Sequence, residues 1–299
     1  MTDAPDGAPA TAPTTAPTTA PATAPTTAPT TAEERATLLA AYDAQLRGEA
    51  EVQGSLSWDR SGPLYRALMR RGGFVSYESL DELGSPEAVD ALIGETVAFY
   101  SARPEVEEFE WKTRGHDWPP ELDALLRGHG LEPEEVETVM VGEATHLAVD
   151  VELPDGVSVR RVDLLPERAA LVTEASAVAA EIFGGGPTGE EMLERLDRTQ
   201  GVEQFWVAEA ETEQGRRVVC SGRLAPVEGT EFAGVWGGST LPEWRGKGIY
   251  RALTAARARA AIDLGVRYIN SDCTAMSRPI LERSGLVAVT TTTPYVWHR

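Results

Sequence analysis

The sequence predicts a mixed α/β fold in which one half-fold of strands and helices occurs twice, the first copy truncated. Three observations carry this. From residue 33 onward, strand-like and helix-like runs alternate, and the second half orders them as several strands, then strand, helix, strand, helix, strand, which implies a mixed sheet with a parallel pair at its middle. Sliding the chain by 155 residues lays Leu126 on Leu281, Gly130 on Gly285, Leu131 on Leu286, Val141 on Val296 and Asp117 on Asp272. Finally, residues 1–32 carry proline at every fourth position from 5 to 29, separated by Ala and Thr, and lack the apolar side chains that would offset the entropy of ordering. The expected organisation is therefore a disordered tail at 1–32, a degenerate half at 33–150 and a complete half at 151–299.

In chain order, "TAEERATLLAAYDAQLRGEA" reads as a helix with Leu38, Leu39, Tyr42 and Leu46 at helical spacing. "SGPLYRALMRRGGF" reads as a second short helix stopped by Gly72 and Gly73. "SPEAVDALIGETVAFYSAR" is a third, with Ser85 as N-cap and Pro86 in its first turn. "EVEEFEWKT" reads as a strand, "PPELDALLRGHGL" as a helix with a glycine stop, and "EEVETVMVGE" as another strand. After the turn at "VELPDG" the pattern restarts: strand "VSVRRV", a helix over 165–183, the loop "GGGPTG" and the short helix "EEMLERLDRT". Strands "QFWVAEAE", "RRVVCSGRLAPV" and "FAGVWGGSTL" follow, then a helix from Ile249 to Leu264, strand "VRYINSDC", helix "MSRPILERSGL" and a final strand or pair, "VAVTTTTPYVW".

The formal net charge of −20 is concentrated in the first half, where residues 33–150 carry −15 against −3 for 151–299. Such a field opposes nucleic acid and favours a cationic ligand; it equally serves solubility. Cys220 and Cys273 fall in separate apolar stretches and read as buried free thiols, and the four histidines lack metal-ligand spacing, so no metal is expected. No apolar run suggests a membrane span or a secretory leader, and the expected location is the cytoplasm.

The stretch with the most chemical content is "PEWRGKGIYRALTAAR" (242–257). Glycines before a helix let the backbone approach a ligand, and the helix start offers free N–H groups and partial positive charge, an anion site. Gly246-Lys247-Gly248 lacks the third glycine of a dinucleotide fingerprint and the spacing of a Walker A loop. It does fit Arg-x-x-Gly-x-(Gly/Ala), Arg245 first and Gly248 fourth, and there the region resembles the acyl-CoA pyrophosphate loop of the GCN5-related N-acetyltransferases. "RPILERSGL" resembles that family's helix ending in a Gly-Phe pair, and the first half resembles the degenerate repeat of its tandem members.

The resemblance implies a mostly antiparallel sheet flanked by helices, with a splayed parallel pair, and acetyl-CoA as co-substrate. It implies that the backbone of Gly246, Lys247, Gly248, Ile249 and Tyr250 cradles the pyrophosphate, that Arg245 assists by charge, and that Thr240 and Leu241 pair with the pantetheine arm. Two positions depart from the pattern. Tyr250 stands where the family has Gly or Ala, and Leu281 where many members carry a tyrosine that protonates the leaving thiolate. Three residues are candidates for proton transfer: Asp272 at the end of the strand opposite the loop, Glu231 opening the strand before it, and Tyr295 in the last strand. Their alternatives are a helix cap, a solvated strand-end charge and an ordinary strand aromatic. The implied activity is N-acetyl transfer to a primary amine of a small molecule or peptide, with a homodimer compatible. A CoA-binding sensor or scaffold without turnover, and a transferase using a longer acyl-CoA, are the alternatives.

Overall fold

A computed structural model describes residues 31–70 and 72–299; the expected tail, up to residue 30, lies outside the described residues. The first half opens with α1 (Ala32–Leu46) and α2 (Glu49–Val52), followed by strands β1 (Ser57–Ser61), β2 (Leu64–Met69) and β3 (Gly72–Tyr77). A 3₁₀ turn (Asp81–Leu83) leads to α3 (Pro86–Ser101), then β4 (Glu108–Arg114), α4 (Leu122–Gly128), β5 (Glu132–Pro133), β6 (Glu137–Glu143) and α5 (Ala144–Leu147). The second half comprises β7 (Val157–Arg161), α6 (Arg168–Phe183), α7 (Gly189–Thr199), β8 (Gln204–Thr212), β9 (Gly215–Pro226) and β10 (Phe232–Thr240). A 3₁₀ turn (Pro242–Trp244) precedes α8 (Ile249–Asp263), β11 (Tyr268–Cys273), α9 (Arg278–Arg283) and β12 (Val287–His298).

These strands form one mixed, mostly antiparallel sheet in the order β1-β2-β3-β4-β12-β6-β11-β10-β9-β8-β7, with β5 paired to β12. Each half contains one parallel pair. β3 and β4 join at Gly73–Phe109 through Val75–Trp111, and β10 and β11 at Phe232–Tyr268 through Gly234–Asn270; in each case the strands then part. Among the described residues the first half shows no counterpart of β7. The halves also exchange their last strands. β12 lies against β4, and β6 lies against β11, so each half's parallel pair is completed by a strand from the other.

Helices cover both faces. On one, α1 packs through Leu38, Tyr42 and Leu46 on Val139, Val141, Phe232 and Tyr268. On the other, α8 and α9 bury Ala258, Ala261 and Leu281 against Val235, Ile269 and Cys273, while the first half builds its own cluster around Trp111, Phe109 and Tyr100.

The segment 61–74, which the pattern reads as a helix, instead forms parts of three antiparallel strands, Gly62-Pro63 turning between the first two and Gly72 and Gly73 opening the third opposite Met69 and Leu68. β2 is covered on both faces, Leu64 joining the Trp111 cluster and Tyr65 and Ala67 packing on Val52. Burial on both sides erases the period-2 alternation that marks a strand. In the first half the place ahead of α3 that corresponds to the glycine loop ahead of α8 is held by Gly84-Ser85-Pro86. Among the described residues no helix is long and apolar enough to cross a membrane, and no His/Cys/Asp/Glu group could hold a metal.

Candidate active site

α8 begins without a side-chain cap. Its N-cap is Gly248, in the left-handed region at φ 78°, and Gly246 at φ 73° has the same handedness. A Cβ at Gly246 would meet nothing within 4 Å, so the turn faces open space with the first-turn N–H groups free of side-chain acceptors. These features fit a diphosphate, which needs close backbone approach and several N–H donors. Arg245 Nε donates to Thr240 O at 3.0 Å, and Lys247 Nζ lies 4.5 Å above the Trp244 ring. The Leu241 N–H turns to Val219 O at 3.0 Å; by strand alternation the Thr240 backbone turns the other way, toward the gap between β10 and β11.

That gap is shaped by a bulge. Arg223 pairs with Trp236 and Ser221 with Ser239, so Gly222 on β9 opposes both Gly237 and Gly238 on β10. Two side chains of α8 hold the bulge from one face. The Tyr250 ring lies on Gly238, where a Cβ would be 2.5 Å from it, and Arg257 occupies the space above Gly222. Arg257 is 0% exposed and has no carboxylate partner among the described residues. It donates to Leu253 O, to the Thr254 hydroxyl and, at 3.1 Å, to Arg223 O, a carbonyl beside the disrupted rungs. Tyr250 at the family's Gly/Ala position thus has a structural counterpart: the glycine that makes room for it.

On the opposite face, beneath α1 and α2, lies a buried ion network that joins the halves. Lys112 of β4 contacts Asp272 Oδ2 of β11 at 2.8 Å and Glu51 of α2 at 3.2 Å; Glu51 also accepts from Arg114 at 2.7 Å. Burial opposes the charge on Glu51, yet Arg114 and Lys112 together outweigh it and hold its carboxyl down to about 2. Burial likewise opposes the Lys112 ammonium, and Asp272 and Glu51 outweigh that, raising it above the ordinary lysine range. Glu110, on the same face of β4, is pushed up to about 6 by burial, which the Lys112 charge only partly offsets.

Of the candidate proton-transfer residues, only Asp272 stands at the gap; it caps no helix, because α9 begins after Ser277. Glu231 precedes β10 at the end far from the loop and accepts from Gln45 Nε2 at 2.9 Å. Tyr295 is drawn into the first half by the strand exchange. There it packs in the Trp111 cluster and donates to Asp123 Oδ1 at 2.6 Å, and burial followed by that bond pushes its hydroxyl up to about 12. Leu281 is buried beside Cys273, whose thiol burial pushes up to about 11, so this wall offers an apolar surface. Lys112, Glu51 and Arg257 escaped the sequence reading. A charge inside an otherwise buried stripe was the available signal for Arg257, which sits one turn after Leu253 and one before Ala261.

No protein-family model matches the chain, and no curated protein matches it in sequence. Solved structures do. A GCN5-related N-acetyltransferase from Kribbella flavida aligns at TM-score 0.58 and 18% identity over 83% of this chain and 93% of the other. A tandem GNAT protein from the clavulanic acid biosynthesis pathway aligns at TM-score 0.58 and 15% identity, over 80% of this chain and 81% of its own. A GCN5-related N-acetyltransferase from Sphaerobacter thermophilus aligns at 0.57 and 18%, over 79% and 76%. The chain therefore has the fold of these acetyltransferases, in tandem arrangement.

Proposed function

We propose that the chain is a tandem-type GCN5-related N-acetyltransferase whose second half, residues 151–299, binds acetyl-CoA and passes its acetyl group to a primary amine of a small molecule or peptide. One observation carries the reading: an uncapped helix start with two left-handed glycines stands at the open end of a parallel strand pair that parts after Gly234–Asn270.

The backbone of Gly246, Lys247, Gly248, Ile249 and Tyr250 would hold the pyrophosphate, and Thr240 and Leu241 the pantetheine arm. Acetyl-CoA supplies, when bound, an acyl group activated as a thioester. The chain's own share is positioning and proton handling. The bulge, held by Tyr250 and Arg257, fixes the backbone at the gap. Asp272, tied to Lys112, would take the proton an ammonium must lose before its nitrogen can attack. The two free, buried cysteines fit a reducing cytoplasm.

Calorimetric titration of the full chain with acetyl-CoA is expected to give micromolar binding. Gly248→Asp places a carboxylate at a positive-φ position beside the anion site and should weaken binding about 100-fold or more with the circular dichroism spectrum unchanged. No binding up to millimolar acetyl-CoA would withdraw the reading. The apolar surface at Leu281 favours a second reading, a CoA-binding protein without turnover. Tight binding with no thiol release on any amine would select it.

A further inference from the structure

Two polar atoms beside the gap have no partner. Asn270 Oδ1 and Asp272 Oδ1 are both buried and accept no hydrogen bond from the described residues, although a buried acceptor left unpaired costs about 1–3 kcal/mol. They share one face of β11, two residues apart. A third group joins them from β10. Asn270 stands beside Gly234 in the parallel register, and the Trp236 indole lies over Gly234 so closely that a Cβ there would be 2.1 Å from Nε1. The indole therefore sits next to Asn270 at the last rung before the strands part.

The fourth member comes from the other half. Lys112 Nζ holds Asp272 Oδ2, which fixes the carboxylate and leaves Oδ1 as its free edge. The Lys112 side chain is 18% exposed and that of Asp272 8%, so neither reaches freely into water. The group that completes such a niche must bring several donors, carry positive charge and tolerate an aromatic ring. An ammonium has three donors and no acceptor, and gains from the ring's negative face. A hydroxyl supplies one donor and no charge, and a carboxylate would be repelled.

We propose that Asn270, Asp272 and Trp236 form the niche for the acceptor's primary ammonium group, and that Lys112 of the first half is the positioning residue that keeps Asp272 turned to it. The degenerate half thus completes the site of the other. Naming the occupant an acyl acceptor rests on the function proposed above; the ammonium niche itself does not.

Ligand-observed NMR on the full chain, with and without CoA, tests the niche using n-butylamine and spermidine against n-butanol and butyrate. The amines should bind and the others should not. Asp272→Asn, nearly isosteric, and Asn270→Ala should each weaken amine binding about tenfold or more while acetyl-CoA affinity stays unchanged. Amines binding no better than butanol, or binding equally to both variants, would overturn the niche. Amine binding by a chain that ignores acetyl-CoA would leave the niche standing and remove the transferase. Where turnover is found, Lys112→Met should raise the KM for the amine and lower kcat/KM about tenfold or more with acetyl-CoA affinity unchanged, and Lys112→Arg should recover part of that loss. An unmoved amine KM in a folded Lys112→Met variant would remove Lys112 from its role.

Discussion

Both halves run a parallel strand into a 3₁₀ turn and then into a helix, and the two helix starts differ in what occupies the first turn. In α3, Ser85 accepts from the Ala88 N–H, Pro86 contributes no N–H at all, and Glu87 adds negative charge. In α8 the same place holds Gly246-Lys247-Gly248, with no cap and no acid. The gaps below them differ in the same sense. Between β3 and β4, Asp117 accepts from Tyr77, from Arg47 and from the Arg114 N–H, while Ser76 donates to Glu51. Between β10 and β11, Ser271 donates to Val235 O and, at 3.4 Å, to Asp272 O, while Asn270 and Asp272 keep unpaired atoms among the described residues. Each gap keeps buried polar atoms without a partner among the described residues, Trp111 Nε1 at the one and Asn270 Oδ1 and Asp272 Oδ1 at the other; the difference lies in the carboxylates, Asp117 having both oxygens engaged and Asp272 only one. The first copy keeps the backbone frame and fills its helix start with a serine cap, a proline and an acid.

The largest expected effect comes from separating the copies. Residues 151–299 alone leave β11 without β6 and β12 without both β4 and β6. Such a fragment should show no cooperative thermal transition by circular dichroism, because exposed strand edges and half of the α1-side cluster go uncovered. A fragment melting cooperatively near the temperature of the full chain would show that the exchange is dispensable.

This exchange was the feature least legible in the sequence. Periodicity locates strands, and it placed β4, β6 and β7 through β12 within a few residues; it carries no information on which neighbour a strand chooses. That is why Tyr295 could be assigned to the second half's chemistry from its position in the chain, although β12 delivers it to Asp123. The loop was legible because its signal is local: glycines, charges and a helix start within a dozen residues. The Lys112–Asp272 contact joins residues 160 apart, and nothing in either neighbourhood announces the other.

The ion network that joins the two copies should be nearly as sensitive. Glu51→Gln leaves Lys112 and Arg114 buried with less compensation and should destabilise the chain by about 3–5 kcal/mol in chemical denaturation at pH 7. The sign of the pH dependence follows from the lowered Glu51 carboxyl. A group held at about 2 when folded and near 4.5 when unfolded stabilises the fold above pH 4.5, and that contribution is lost as pH falls from 4.5 toward 2. The difference between wild type and Glu51→Gln should therefore shrink across that window. A constant difference down to pH 2 would mean that the carboxylate's charge is not what the network uses.

The smallest effect bears most directly on the two helix starts. Ser85→Ala removes the α3 cap bond and should cost about 1 kcal/mol of stability, with acetyl-CoA affinity untouched, because that helix start has no ligand to lose. Gly248→Ala introduces a Cβ that meets Val151 Cγ1 at an ordinary 3.4 Å, so its stability cost is mainly the left-handed backbone, again about 1–2 kcal/mol. Acetyl-CoA affinity should separate the pair. It should fall for Gly248→Ala, whose backbone must hold the pyrophosphate, and stay level for Ser85→Ala at equal loss of melting temperature. If both variants lost affinity in step with stability, the open helix start would be no more a binding site than the closed one.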